Sequence, residues 1–133
     1  MIRNYVADTT AVISFFDDVF GKGCAISSKG KRLIDQALRD PSQVRLSIPS
    51  IVFVEIFDKW FEDEELAAQI YYEVFCLLDS SPNVEIKPLE KEVIERVLAI
   101  QDDEINLESH DKIVLASAAT LNCPLITSDT KAV

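Results

Sequence analysis

Short apolar runs of strand-like length alternate with longer runs of helical spacing, and this alternation restricts the fold more than any other feature of the sequence. Four strands are predicted, over residues 2–7, 44–48, 84–88 and 124–127. Six helices are predicted, over residues 11–20, 29–40, 51–61, 65–79, 90–101 and 110–121. Because strands that alternate with helices are joined by crossover connections, the pattern indicates an α/β fold with a mostly parallel central sheet flanked by helices.

Local signals set several of the helix boundaries. Thr9 or Thr10 is expected to cap the first helix, and Gly21 and Gly23 are expected to end it. Pro49 and Ser50 are expected to start the helix that follows the second strand, since proline is tolerated in a first turn and serine caps well. Four residues of the 29–40 segment share one apolar face, namely Leu33, Ile34, Ala37 and Leu38.

The size and composition of the chain indicate one domain over residues 1–133. No uncharged apolar run approaches the ~18 residues that a membrane-spanning helix needs, so no membrane association is expected. The N-terminus lacks the features of a secretory signal. Three cysteines, Cys24, Cys76 and Cys123, lie far apart without C-x-x-C spacing. Reduced thiols and a cytoplasmic location are therefore expected.

The charge of the chain argues against binding a polyanion over a broad surface. There are 13 basic and 23 acidic residues, for a net charge of -10. One basic cluster contains Lys29, Lys31 and Arg32, with Lys22 nearby. Two interpretations of it stay open: a solvated helix start, and a rim that contacts the phosphates of a nucleic acid.

Four carboxylates stand where apolar runs stop or are interrupted. Asp8 follows the first strand and Asp129 the last, while Glu55 lies inside an apolar helix and Asp111 opens another. An acid beside an apolar run avoids the cost of desolvation by protonation, by pairing or by binding a cation. If the four converge, their oxygen-only ligand set suits Mg²⁺ or Mn²⁺, and these ions suit phosphodiester chemistry.

Each acid also has a structural explanation. Asp8 and Asp111 are suited to capping helices, and Asp129 to a turn. Glu55 is the exception, because its helix is expected to be buried nearly all round, where a solvated acid has no place. In parallel sheets, binding sites lie outside the carboxyl ends of the strands, where Asp8 and Asp129 are predicted.

Three segments resemble the motifs of PIN-domain ribonucleases. YVADTTAVISFF is similar to the opening motif, IPSIVFVEIF to the second, and SHDKIVLASAATLNCPLITSD to the third and fourth. The resemblance covers essentially the whole chain and keeps the order of the motifs. The segment FGKGCAISSKGKRLI is longer and more basic than in a minimal member of the family.

The resemblance implies a three-layer PIN-like fold and metal-dependent cleavage of single-stranded RNA. It implies that Asp8, Glu55, Asp111 and Asp129 are the catalytic acids and the ligands of Mg²⁺ or Mn²⁺. Thr9 or Thr127 would hold the loops or a metal-bound water. Many members, the VapC-like toxins among them, act as the toxin of a toxin–antitoxin pair, so an antitoxin protein is an expected partner. The alternative is a PIN-like module that does not cut and binds another protein.

Aromatic and aliphatic residues are numerous for a domain of 14.9 kDa. Aromatic residues in the middle of the chain include Phe53, Phe57, Trp60, Tyr71, Tyr72 and Phe75. This content exceeds what one small core uses, and a homodimer is therefore expected.

Overall fold

A four-stranded parallel sheet is the centre of the structure, a computed structural model that describes residues 2–21, 26–39, 43–60, 62–92, 94–95, 116, 118–119 and 123–127. The strands are β1 (Arg3–Ala7), β2 (Val44–Pro49), β3 (Val84–Lys87) and β4 (Leu125–Ile126). Their order across the sheet is β3-β2-β1-β4, and each neighbouring pair is parallel. The predicted α/β class and parallel sheet are confirmed.

The strand order reverses beside β1. From β1 the chain crosses to β2 and then to β3 on one side, whereas β4 pairs with the opposite side of β1. Ala7 pairs with Ile126, so β1 and β4 end at the same level. Reversals of this kind open a crevice at the carboxyl ends of the strands, and ligands of α/β proteins bind there. Asp8 and Thr127 are the first residues beyond those two ends.

Helices connect and flank the strands. Before β3 they are α1 (Thr9–Phe15), α2 (Asp17–Phe20), α3 (Ser28–Ala37), α4 (Ser50–Trp60), α5 (Glu64–Ile70) and α6 (Cys76–Ser80). A π-helical turn (Tyr71–Phe75) joins α5 to α6 without a break. Residues 91–92 and 94–95, and Ala116, Ala118 and Ala119, are also helical. They fall inside the predicted helices 90–101 and 110–121, whose other residues lie outside the described part of the chain.

Two helix boundaries differ from the prediction. The first helix starts at Thr9 and its cap is Asp8, not Thr9 or Thr10, because Asp8 is extended and its side chain accepts the N–H of Ala11. The helix is also interrupted at Phe16, whose φ of -98° and ψ of 43° are not helical. Pro49 is the last residue of β2 and not part of a first helical turn. Gly21 ends α2 as predicted, with a φ of 70°.

One core joins the sheet to the helices. Leu46 and Ile48 of β2 are at most 2% exposed, and Leu33 and Ile34 of α3 pack with them in one cluster, as the apolar face predicts. The continuous helical stripe of α5, the π-helical turn and α6 is buried at Ile70, Val74 and Leu78.

The expectation that α4 is buried nearly all round is wrong. Val52, Phe53 and Ile56 are buried, but Val54 is 58% exposed and Asp58 is exposed one turn later. Within the described part of the chain, α4 is covered at Val52, Phe53 and Ile56 and exposed at Val54 and Asp58, so it has more apolar residues than buried positions. Hydrophobicity alone therefore overstated the burial of this helix.

The aromatic residues behind the dimer prediction divide into two groups. Phe53 is buried, and Phe57, Trp60 and Phe75 pack against the core. Tyr71 and Tyr72 are 45% and 70% exposed. The homodimer stays a prediction. None of the helices in the described residues is both long and apolar enough to span a membrane.

The left-handed conformation of Gly21 gives a stability prediction. A Cβ atom at this position would meet no atom within 4 Å, so a substitution is penalised only by its backbone conformation. Gly21→Ala should lower the free energy of unfolding by ~1 kcal/mol, and Gly21→Asn by less, because asparagine tolerates this conformation better. Urea denaturation measures both. Equal stability of the alanine variant and the wild type would contradict the prediction.

Candidate functional site

The side chain of Asp8 is the centre of the candidate site. It is only 5% exposed, although it is acidic and lies at the end of the sheet. Its Oδ1 accepts the backbone N–H of Ala11 at 2.8 Å and the hydroxyl of Thr10 at 2.7 Å, and its Oδ2 accepts the hydroxyl of Thr127. These donors give the buried carboxylate the hydrogen bonds that burial demands. The helix-cap interpretation of Asp8 thus applies, and the same side chain also faces the end of β4.

Thr10 and Thr127 join the start of α1 to the end of β4. Their Oγ1 atoms lie 3.2 Å apart, and both contact the carboxylate of Asp8. The three contacts are Thr10 with Asp8, Thr127 with Asp8, and Thr10 with Thr127. Each hydroxyl has one proton, so when Asp8 is ionised at most two of these contacts can be hydrogen bonds at the same time. A small polar network therefore lies at the reversal of strand order, between the start of α1 and the end of β4.

Glu55 is held beside this network by the residue next to Asp8. The hydroxyl of Thr9 donates to Oε2 of Glu55 at 3.0 Å, and Thr9 itself is 7% exposed. Glu55 is half-buried on α4, which packs against α1. Two consecutive residues at the start of α1 therefore fix both acids: Asp8 through its own hydrogen bonds, and Glu55 through Thr9.

The oxygen atoms of these side chains are suited to bind a hard divalent cation. Asp8 and Glu55 offer carboxylate oxygens, and Thr9, Thr10 and Thr127 offer hydroxyl oxygens. Mg²⁺ and Mn²⁺ prefer such oxygen ligands. Two of the four predicted acids, Asp111 and Asp129, lie outside the described residues. Within the described residues, no three histidine, cysteine or acidic side chains gather as a metal site would require.

The three predicted basic residues do not share one surface. Lys29 lines a hollow of about 220 Å³ that extends to Thr127, and Arg32 lines a second hollow of about 260 Å³ with Lys29. Lys31 lines neither hollow. Arg3, at the start of β1, also lines the second hollow, and the basic cluster predicted from the sequence did not include it. Sequence spacing does not reveal it, because Arg3 lies 26 residues before Lys29 and meets α3 only when the sheet forms.

Two substitutions at Asp8 should differ sharply in stability. Asp8→Asn keeps an oxygen that can cap α1 and places an amide N–H₂ where the Thr127 hydroxyl can accept. It should lower the free energy of unfolding by less than ~1 kcal/mol. Asp8→Ala removes the cap and leaves buried donors without their acceptor, so it should lower it by roughly 2–3 kcal/mol. Urea denaturation compares them, and equal losses would show that these hydrogen bonds do not stabilise the fold.

Comparison with known proteins supports the fold. No model of a protein family matches the sequence, and no curated protein matches it. Among solved structures, the chain is similar to a chain of a toxin–antitoxin complex from Klebsiella pneumoniae, with 22% sequence identity and a TM-score of 0.59. The similarity covers 96% of this chain and 88% of that one. At this identity the comparison establishes a shared fold.

Proposed function

We propose that this chain is a metal-dependent endoribonuclease that cleaves phosphodiester bonds of single-stranded RNA. The observation that carries the proposal is the position of Asp8, a buried carboxylate at the reversal of strand order, with Glu55 held beside it through Thr9. Capping α1 requires only the hydrogen bond from the N–H of Ala11, and it does not account for a second acid held beside Asp8. Oxygen ligands at the carboxyl edge of a parallel sheet are suited to metal-assisted hydrolysis.

Asp8 and Glu55 would hold Mg²⁺ or Mn²⁺ together with Asp111 and Asp129. A cation bound there would lower the pKa of a bound water and neutralise negative charge on the phosphate. The chain itself orients the ligands: Ala11 and Thr10 fix one oxygen of Asp8, Thr127 contacts the other, and Thr9 positions Glu55. This preorganisation limits the rearrangement needed when metal and substrate bind.

We further propose that the chain is the toxin of a toxin–antitoxin pair and acts in the cytoplasm. Its structural similarity to a chain of a toxin–antitoxin complex supports this role. The expected partner is an antitoxin protein. A reading frame for a small DNA-binding protein beside this gene would agree with the proposal.

One surface favours a second candidate, a PIN-like module that binds protein without cutting RNA. Val54, Tyr71 and Tyr72 are large apolar or aromatic residues that are 58%, 45% and 70% exposed. Exposed residues of this kind are common at protein interfaces. Such a module would not need an acidic pair anchored at the crevice, so tests of cleavage and metal binding separate the two candidates.

Purified protein should cleave labelled single-stranded RNA with Mg²⁺ or Mn²⁺, and EDTA should abolish the cleavage. Asp8→Asn and Glu55→Gln should each lower the rate at least ~100-fold, since each removes a charged ligand while keeping the shape of the side chain and one acceptor oxygen. Asp79→Asn is the matched control, because Asp79 is exposed on α6, close to the opposite edge of the sheet. Cleavage that persists in EDTA, or that both site variants retain, would contradict the proposal.

Metal binding should also appear as stabilisation. If the acids share one pocket, Mg²⁺ at about a hundred times its dissociation constant should add ~2.7 kcal/mol to the free energy of unfolding. In Glu55→Gln this gain should shrink, while the metal-free variant should be at least as stable as the metal-free wild type because repulsion between acids is relieved. Thermal melting of both proteins in EDTA and in Mg²⁺ measures this. The same gain in both proteins would place the metal away from Glu55.

A further inference from the structure

Two adjoining hollows lie between α3 and the β1–β4 side of the sheet, and together they are called the groove below. The first is lined by Thr127 of the candidate site and by Lys29, and the second by Arg3 and Arg32. The two hollows share Lys29 and Leu33. A surface path therefore leads from the side chain that contacts Asp8 to the opposite end of β1, where Arg3 lies.

The geometry of α3 determines which of its cations face this groove. Lys29, Arg32 and Gln36 are three or four residues apart and therefore share one side of the helix. Lys31 is two positions from Lys29, which turns it roughly 200° around the helix axis. The helix thus places one cation of the predicted cluster away from the groove, and Arg3 of β1 adds a different one.

The groove cations have no acidic partners among the described residues. The ion pairs of that part of the chain involve Arg39, Lys87 and Lys91, each within 4.0 Å of a carboxylate. Arg3, Lys29 and Arg32 form no such pair there, and all three are exposed. In a protein with a net charge of -10, three uncompensated cations along one groove mark a local site for an anion.

The shape of the groove favours an extended anion. Each hollow is smaller than the pockets of about 300–1,000 Å³ that enclose small molecules. From Arg3 to Ala7 the strand β1 spans roughly 13 Å, which corresponds to at most about four stacked nucleotides. Tyr5 lines the first hollow, and single-strand sites combine cations with an aromatic ring.

We propose that Arg3, Lys29 and Arg32 bind the backbone phosphates of single-stranded RNA and lead the strand past Thr127 to Asp8. The identity of the strand as the substrate rests on the nuclease function proposed above. Binding to the groove itself requires only the three cations. Lys31 is excluded from the contact, in contrast to the basic cluster predicted from spacing.

Fluorescence anisotropy of a labelled single-stranded RNA tests the groove without cleavage, in EDTA and at NaCl concentrations from 50 mM upward. Arg3→Ala, Lys29→Ala and Arg32→Ala should each weaken binding about fivefold at the lowest salt. Each should also reduce the slope of log affinity against log salt concentration by ~0.7, and the triple variant by ~2. Lys31→Ala controls for loss of a charge on the same helix, and Arg45→Ala for loss of an exposed arginine on a strand. Thermal melting verifies that each variant is folded.

The controls decide the outcome. Weaker binding by the three groove variants, with both controls like the wild type, supports the proposal. Equal losses in groove and control variants would overturn it, as would undetectable binding by the wild type or equal affinity for double-stranded RNA. If the groove variants lose affinity but the wild type never cleaves RNA with metal, the groove stands and the nuclease proposal fails. If the wild type cleaves RNA with metal but the groove variants bind RNA like the controls, the nuclease proposal stands and the groove proposal fails.

Discussion

The hydrogen bonds of Asp8 are the interaction on which this architecture most depends. The backbone of Ala11 and the hydroxyls of Thr10 and Thr127 all donate to one buried carboxylate. The same side chain therefore starts α1 and joins it to β4, the strand that lies on the other side of β1 from β2 and β3. Crevices at such a reversal expose the ends of two strands whose connections diverge. In this chain a buried carboxylate lies at the reversal, so the interaction that stabilises the fold is also the centre of the candidate site.

Stability and binding are consequently coupled at this position. A cation at Asp8 would interact with a carboxylate that already accepts hydrogen bonds from two different elements. Its binding would therefore stabilise the contact between α1 and the end of β4. It would also stabilise the position of α4, because Thr9 donates a hydrogen bond to Glu55. Helix α3 lies close to the same place: a Cβ added at Gly30 would be 3.2 Å from Cγ2 of Ile126, the residue before Thr127. The groove and the hydrogen-bond network of Asp8 thus meet at the end of β4.

The sequence predicted the parallel sheet, and the position of Asp8 after the first strand, because both depend on where apolar runs alternate and stop. Strand ends are visible where an apolar run stops, and Asp8 follows such an end. The start of α1 was less predictable, since Asp8, Thr9 and Thr10 are all good caps and only backbone geometry selects among them. Burial of α4 was overestimated because apolar content does not reveal which side of a helix stays exposed, as α4 does at Val54. Arg3 was missed since it joins Lys29 and Arg32 through tertiary structure.

The π-helical turn has a consequence for how the long helical segment between Asp63 and Ser81 keeps its register. The buried residues Ile70, Val74 and Leu78 are four positions apart, whereas an α-helix repeats every 3.6 residues. Over two such steps a regular α-helix would turn the third residue roughly 80° away from the first. The turn contains a wider bond, from the N–H of Cys76 to the carbonyl of Tyr71, five residues earlier. The turn thus accommodates one extra residue within the helix, and Ile70, Val74 and Leu78 stay on the same buried face. The extra residue is accommodated on the exposed face, where Tyr71 and Tyr72 lie.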